Sequence, residues 1–465
     1  MRLWLFLLCG GILETRELMA SSSTIRVQWA PVEFADHYRV VATDGRSAVV
    51  STHFGPEALI EELKSATDYT IRVTACLDAE CLESADVPEM KASTEAEVWR
   101  IVGSGNSFDG AQRLVQDVNV NASILRYGEW AGPPLAGKVQ LYYVPLQGDE
   151  KGAKIGQLAT ERAGSIEAVS RFLPVSGYGL LRACGPSPCP AGVNLGAQVA
   201  LFQPVPMANG AVRLFFEAQG HDGRTRILSL DSQDGYVGRD FHRGAPTRCS
   251  TFADYAPGGG CEPALEIDVN EYVPNARQFK MGWPNRDAAL WDAAPGTWMW
   301  FTTEYQDRRC SEWGFNFAYA VWDGERWVVQ YREDGCPKLM IGSQAMAPMH
   351  LGGTRYKMYF NHHQSLRPVP GQGMLKPMRV IYSDAGLTGD TATVDFEDWE
   401  PRELSRPVQL QFPDGTPLSE AESSRLDDTF VYMPGGDPWF QVMYTNMSSP
   451  GAGPPFVGTA ILMNP

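Results

Sequence analysis

The chain of 465 residues is poor in cations: 39 Lys and Arg stand against 55 Asp and Glu, a formal charge of −16. That balance argues against nucleic acid, whose binding needs clustered Lys and Arg to displace counterions. It argues equally against an anionic membrane surface. Neutral ligands, cationic ligands and protein partners stay open. No apolar run approaches the ~20 residues of a transmembrane helix, so no transmembrane span is expected. The chain lacks a GxSxG elbow, a Walker loop, an HExxH pair and a dinucleotide fingerprint. Gly258 to Gly260 is a glycine run without the strand and helix that phosphate binding needs. Paired CxxC spacings are missing, which argues against structural zinc. Long amphipathic helices are missing too, the nearest approach being Glu57 to Lys64.

What is present describes a folded, turn-rich chain, 44% hydrophobic with 46 Gly and 33 Pro. Its length calls for at least two units. Residues 1–17 read as a signal or export segment, apolar from Leu3 to Leu13. The LLCG at Leu7 to Gly10 is similar to a bacterial lipid-attachment site, so a secreted or cell-envelope protein, and a lipoprotein among the options, is expected. Apart from Cys9, the cysteines fall into near neighbours: Cys76/Cys81, Cys184/Cys189, Cys249/Cys261 and Cys310/Cys336. An even number in loop-like surroundings suits disulfides and an oxidising compartment, adjacency being the simplest pairing.

Residues 18–95 read as a β-sandwich. TIRVQW ending in Trp29, HYRVVA with Tyr38, and YTIRVTA from Tyr69 each alternate with period two, as half-buried strands do. A first strand is expected near Leu18, and Cys76 with Cys81 would staple the last hairpin. The run Leu63, Thr67, Tyr69, Ile71, Val73, Ala75 resembles the fibronectin type III pattern, in which the tyrosine hydrogen-bonds back to the preceding loop. The resemblance implies a spacer or adhesion module, with the boundary between Ala92 and Glu97.

Residues 96–465 contain a repeat. One aromatic-rich strand follows a Gly-containing turn five times: GKVQLYYVP, GAVRLFFEA, GTWMWFTTE, GTRYKMYFN and GDPWFQVMYT, from Gly137, Gly210, Gly296, Gly353 and Gly436. A further strand follows each copy: AKIGQLA, TRILSLDS, FNFAYAVW, PMRVIYS and FVGTAILM. Asp109-Gly110, Asp234-Gly235 and Asp323-Gly324 are hairpin signals. Uneven spacing excludes a regular solenoid and suits a five-bladed β-propeller. After the last copy the chain is one strand short. The segment from Trp99 to Val115 is expected to supply it, closing the ring and covering an edge. The fold class is therefore all-β: a fibronectin type III-like sandwich plus a five-bladed propeller.

The repeat strands and Asp-Gly turns resemble the five-bladed propeller glycosidases: arabinanases, β-xylosidases and the invertase group. That resemblance implies three carboxylates at the starts of inner strands, with one protonated and one ionised across the glycosidic bond. The sequence departs from the pattern. Asn121-Ala122 stands at the first carboxylate position and Met346 at the acid position. Neither Asn nor Met transfers protons in that role. Other acids at strand ends are candidates: Asp117 before the first inner strand, Asp428 beside Asp427 at the last, and Glu304 or Glu217 at a rim. Trp298, Trp300 and Trp327 are expected to pack between sheets. Trp283, Trp291 and Trp313 read as loop platforms for sugar faces, with Asn121 and His350 as further ligand-binding candidates. His350, His362 and His363 cluster, and the resemblance allows a central Ca²⁺. Otherwise no cofactor is expected, and acids or histidines at strand ends are better explained as solvated, hydrogen-bonded or loop-capping groups. Three functions follow: a glycan-recognising protein with a degenerate glycosidase site, an active glycoside hydrolase, or a non-enzymatic adhesion scaffold with a protein partner.

Overall fold

The computed structural model describes residues 19–116 without a break. Beyond them it describes residues 123–126, 139–143, 156–160, 172–174, 199–207, 212–219, 225–232, 264–268, 281–282, 298–303, 316–331, 333–336, 339–341, 343–352, 355–362, 375, 377–383, 405–432, 441–447 and 456–465. The export segment at residues 1–17 lies outside that set. Nearly all described secondary structure is β. Two compact units are present: Met1–Glu97 with Asn464–Pro465, and Val98–Met463.

Among its described residues the first unit holds eight strands: β1 Met19–Ala20, β2 Ile25–Gln28, β3 His37–Thr43, β4 Ala48–His53, β5 Glu57–Ile60, β6 Asp68–Cys76, β7 Ser84–Asp86 and β8 Met90–Ser93. They form two sheets, β1-β2-β5 and β4-β3-β6-β7, with β8 also on β6. Period-two alternation drives this arrangement. Ile25, Val27, Val40, Ala42, Ile71 and Val73 are all buried, while Arg26, Arg39 and Arg72 on the opposite parity are exposed. Each large apolar side chain removed from water is worth about 1.5–3 kcal/mol. Trp29 meets Tyr38 edge-on at 5.1 Å in that core. The segment expected to come nearest to a helix, Glu57 to Lys64, begins instead as strand β5. Ala58 and Ile60 are buried on alternate positions, a spacing a helix would place on different faces.

The Tyr69 hydroxyl accepts a 2.8 Å hydrogen bond from the Lys64 backbone N–H, the loop contact expected of that tyrosine. Lys64 also carries a buried ion pair, its Nζ lying 3.1 Å from Asp44. Burial alone would raise the Asp44 carboxyl. The N–H groups of Ser47 and Arg46 and the Lys64 ammonium outweigh burial and hold it at about 2. Cys76 and Cys81 form the expected disulfide after β6. Cys336 is disulfide-bonded as well, and the remaining predicted pairs lie outside the described residues.

The second unit opens within β9 Glu97–Ile101, followed by a 3₁₀ turn at Phe108–Gly110 and β10 Val115–Gln116. Among the described residues, five successive groups of strands follow. The first is β11 Ser123–Arg126, β12 Val139–Tyr143, β13 Gly156–Thr160 and β14 Phe172–Pro174. The second is β15 Val199–Pro206, β16 Val212–Gln219, β17 Thr225–Ser232 and β18 Ala264–Asp268. The third is β19 Met281–Gly282, β20 Trp298–Thr303, β21 Asn316–Trp322 and β22 Trp327–Val329, with β23 Leu339–Ile341 also on β21. The fourth is β24 Ser343–Gly352, β25 Arg355–His362, β26 Met378–Ser383 and β27 Arg406–Gln411. A one-turn helix, α1 Glu420–Ser423, leads to the fifth: β28 Leu426–Tyr432, β29 Val442–Met447 and β30 Phe456–Leu462. Each group is an antiparallel meander. Each repeated aromatic strand of the sequence is the second strand of its group, and each following strand is the third.

The fifth group is completed from the other end of the unit. Trp99, Arg100 and Ile101 of β9 pair with Leu462, Ile461 and Ala460 of β30. Val115 and Gln116 of β10 continue along β30 opposite Val457 and Phe456. The expected closure from Trp99 to Val115 is thus observed. It covers an edge of β30 that would otherwise present unpaired backbone. β9 also borders β27, which joins the fourth and fifth groups edge to edge. The Arg100 Nε and Nη2 donate to Gln411 Oε1 at 3.2 and 3.1 Å across that seam. Trp99, wholly buried, meets Tyr359 edge-on at 5.7 Å in a core shared by both groups.

Candidate functional site

The first strands of successive groups touch in order: β11 against β15, β15 against β19, β19 against β24, and β24 against β28. Three of these strands depart from regular pairing. Register shifts fall between Ala200 and Phe202 on β15, at Gln344/Met346 and His350/Gly352 on β24, and between Asp427 and Phe430 on β28. A bulge re-aims side chains and raises local twist, and bulges concentrate beside active sites.

Two of the candidate site residues sit on this strand series. Asp428 lies within the β28 irregularity, next to Asp427, whose backbone faces Asn446. His350 lies on β24 opposite Tyr356, at the edge of a register shift. Because β24 and β28 touch, the topology brings these two strands together. Met346, at the position expected of an acid, is on β24 opposite Phe360. Asp117, Asn121, Trp283, Trp291, Glu304, Trp313 and His363 lie outside the described residues, as does Asp234-Gly235.

A buried polar seam behind β28 escaped the sequence reading. Lys357, 4% exposed on β25, donates from Nζ to Gln441 Oε1 at 3.0 Å. Its ammonium also stands 5.1 Å from the centre of the Tyr359 ring, a cation–π distance. Four residues further along the same strand, Asn361 Nδ2 donates to the Leu426 carbonyl at 2.8 Å. Leu426 opens β28 and directly precedes Asp427, so Asn361 pins the start of the strand that carries Asp428. The Ser423 hydroxyl accepts from the Met378 N–H at 3.3 Å, fixing the chain just before that start. The helix α1 that leads in is held by a capping box between Ser419 and Glu422.

Of the tryptophans expected to pack between sheets, Trp327 has a described side chain. Trp327 is 2% exposed and stands edge-on to Phe215 of the second group at 6.2 Å, so it packs between groups as expected. It follows the Asp323-Gly324 turn, whose carboxylate accepts from the N–H groups of Arg326 and Glu325 and is held below the usual carboxylate range by them. Trp298 and Trp300 lie on β20 opposite Val321 and Tyr319.

Among the described residues, one grouping has metal-ligating side chains: His37, Cys76 and Cys81, with ligand atoms within 4.8 Å. The disulfide consumes both thiolates, so this grouping offers no metal site. Among the described residues no helix is long and apolar enough to cross a membrane.

No family model matches the chain, and no curated protein matches it in sequence. Solved structures similar to it include fibronectin type III domains and arabinofuranosidases. The fibronectin type III domain of the human collagen alpha-1(XX) chain is 23% identical, covering 21% of this chain and 92% of its own, at a TM-score of 0.16. An alpha-L-arabinofuranosidase from Podospora anserina, solved with cellotriose, is 12% identical, covering 80% of this chain and 97% of its own, at a TM-score of 0.40. The catalytic domain of a Coprinopsis cinerea alpha-L-arabinofuranosidase is 11% identical, covering 79% and 97%, at a TM-score of 0.37.

Proposed function

We propose that this chain is an exported, glycan-recognising protein. In this reading the first unit is a fibronectin type III-like spacer. The second is a five-bladed propeller with an altered glycosidase-type site. The observation that carries the reading is the ordered contact of the first strands, from β11 through β15, β19 and β24 to β28. Strands that touch in this order line a common axis, and a funnel on such an axis is where propellers hold small ligands. Asn121 and Met346, where the glycosidases carry carboxylates, support recognition without the standard chemistry. Calorimetric titration of the full chain against arabinan, xylan, fructan and mannan tests this. Saturable binding to one of them is the expected result, and no heat with any of them overturns it.

A second reading, an active glycoside hydrolase, draws on the position of Asp428 in the β28 irregularity beside β24. Hydrolysis needs an acid and a base or nucleophile on opposite sides of the glycosidic bond, and Asp117 and Glu304 are the candidate partners. Loss of a proton-transfer group costs about 10²–10⁴-fold in rate. A reducing-sugar assay of Asp428→Asn should show that loss if the reading holds. Unchanged turnover removes Asp428 from the mechanism.

A further inference from the structure

Three loops of the first unit meet at one end of the sandwich. The connections are residues 29–36 between β2 and β3, 54–56 between β4 and β5, and 77–83 between β6 and β7. Register places them together: Gln28 faces Glu57, Tyr38 faces His53, and His37 faces Cys76. Backbone bonds tie the loops, Trp29 N–H to the Pro56 carbonyl at 3.0 Å and Asp36 N–H to the Cys76 carbonyl at 2.8 Å. The His37 ring stands 6.4 Å from the Phe54 ring. The chain leaves the unit at the opposite end, where Thr94 and Glu95 bond to Thr67 and Ser21.

Each loop displays a large apolar side chain to water. Phe34 is 83% exposed, Phe54 84% and Leu82 80%. A single exposed apolar residue needs no explanation, but three at the tips of adjoining loops form a patch, and such patches mark interaction sites. Two features keep the patch in place. Phe34 holds a φ of 65°, a conformation that a bulky residue adopts at a cost. The Asp78 carboxylate accepts from the N–H groups of Glu80, Leu82 and Glu83 at 3.1, 2.9 and 2.9 Å, and the Cys76–Cys81 disulfide closes the same loop. Leu82 is therefore presented on a rigid loop, which lowers the ordering cost of binding.

The rim of the patch is of one sign. The three loops carry Glu33, Asp36, Asp78, Glu80 and Glu83, and neither Lys nor Arg. An anionic lipid surface is repelled by that rim, and so is a second copy of this acidic chain. We infer that this loop end is a docking surface for a protein segment that presents apolar side chains flanked by Lys or Arg. The apolar centre supplies affinity, and the acidic rim supplies orientation and rate of encounter. This site lies in the first unit and is independent of the glycan reading of the second.

The test is fluorescence anisotropy with the full chain and two labelled synthetic peptides. One alternates Lys with Leu and the other alternates Lys with Ser at equal charge. The Lys/Leu peptide is expected to bind at least tenfold more tightly than the Lys/Ser peptide. The double variant Phe34→Asn/Phe54→Ser is expected to weaken Lys/Leu binding more than tenfold, with an unchanged melting profile. Asn tolerates the backbone of position 34, and neither substitution alters charge, so the fold and the acidic field are retained. Equal affinity for both peptides, or an affinity unchanged in the double variant, overturns the inference. So does tighter association with neutral phosphatidylcholine vesicles, or self-association that the double variant abolishes.

Discussion

Replacing Trp99 by Ala should loosen the second unit at its closing strand. The side chain is fully buried and packs edge-on against Tyr359. A buried aromatic removes about 150–250 Å² from water, which at ~25 cal/mol/Å² sets an upper bound of roughly 4–6 kcal/mol. Partial collapse of the cavity brings the expected cost to about 3–5 kcal/mol. Spread over a unit of this size, that is a drop of about 5 °C in its melting temperature. Calorimetry should show the loss in the larger transition, with the smaller unit unaffected. Hydrogen exchange followed by mass spectrometry should show lost protection in β9 and β30, whose residues 99–101 and 460–462 are paired. A melting temperature within 1 °C of the parent, with both strands still protected, would refute the idea that this tryptophan holds the closure.

Three further outcomes are expected. Asp44 sits at about 2 against an ordinary 3.8, so its contribution is present above pH 3.8 and is lost as the pH falls toward 2. After allowance for solvent screening that contribution is about 1–2 kcal/mol, and Asp44→Asn should flatten the acid limb of the first unit's pH–stability curve. Gly110→Ala would put a Cβ 1.6 Å from the Ser104 carbonyl oxygen, which forces a backbone shift and should cost about 1–3 kcal/mol in a denaturant melt, whereas Gly55→Ala meets nothing within 4 Å and should be neutral or mildly stabilising. Tyr69→Phe removes the acceptor of a buried Lys64 N–H and should destabilise the first unit by about 1–3 kcal/mol, read in the same way.

How far the sequence could be read depends on where each strand sits. The repeated strands were legible where the second strand is covered on both faces. In β25, residues 357–361 are buried without a break, so aromatic and sulfur side chains accumulate at both parities and the copies resemble one another. The closing strand was legible by deficit, since the fifth group lacked a partner that only residues near Trp99 were placed to supply. The first strands were not legible in the same way. Two register shifts in β24 interrupt its period-two pattern, so counting along it cannot say which residue faces a ligand. Lys357 and Asn361 were missed for a related reason. On a strand of alternating character a Lys reads as solvent-facing, and only the apolar parity of Tyr356, Met358 and Phe360 beside Tyr359 hinted that neither face was wet.

The seam and the closure bear on the site together. Asn361 holds the carbonyl that opens β28, and Lys357 holds Gln441 immediately before β29. Both anchors come from β25, so the fourth group fixes the entry of the two inner strands of the fifth. At the other edge β9 borders β27 and pairs with β30. The fifth group is therefore gripped on its inner side by buried hydrogen bonds and on its outer side by a strand from the start of the unit. A buried polar contact costs about 1–3 kcal/mol when one partner is lost, so this arrangement tolerates little sliding of β28. Rigidity of that kind is what a site on a bulged strand requires, because positional errors near 1 Å are enough to degrade binding or catalysis. Under either reading proposed for Asp428, sugar contact or proton transfer, the physical demand on Lys357 and Asn361 is thus the same. If either reading holds, substituting Lys357 or Asn361 should weaken the corresponding titration or reducing-sugar signal.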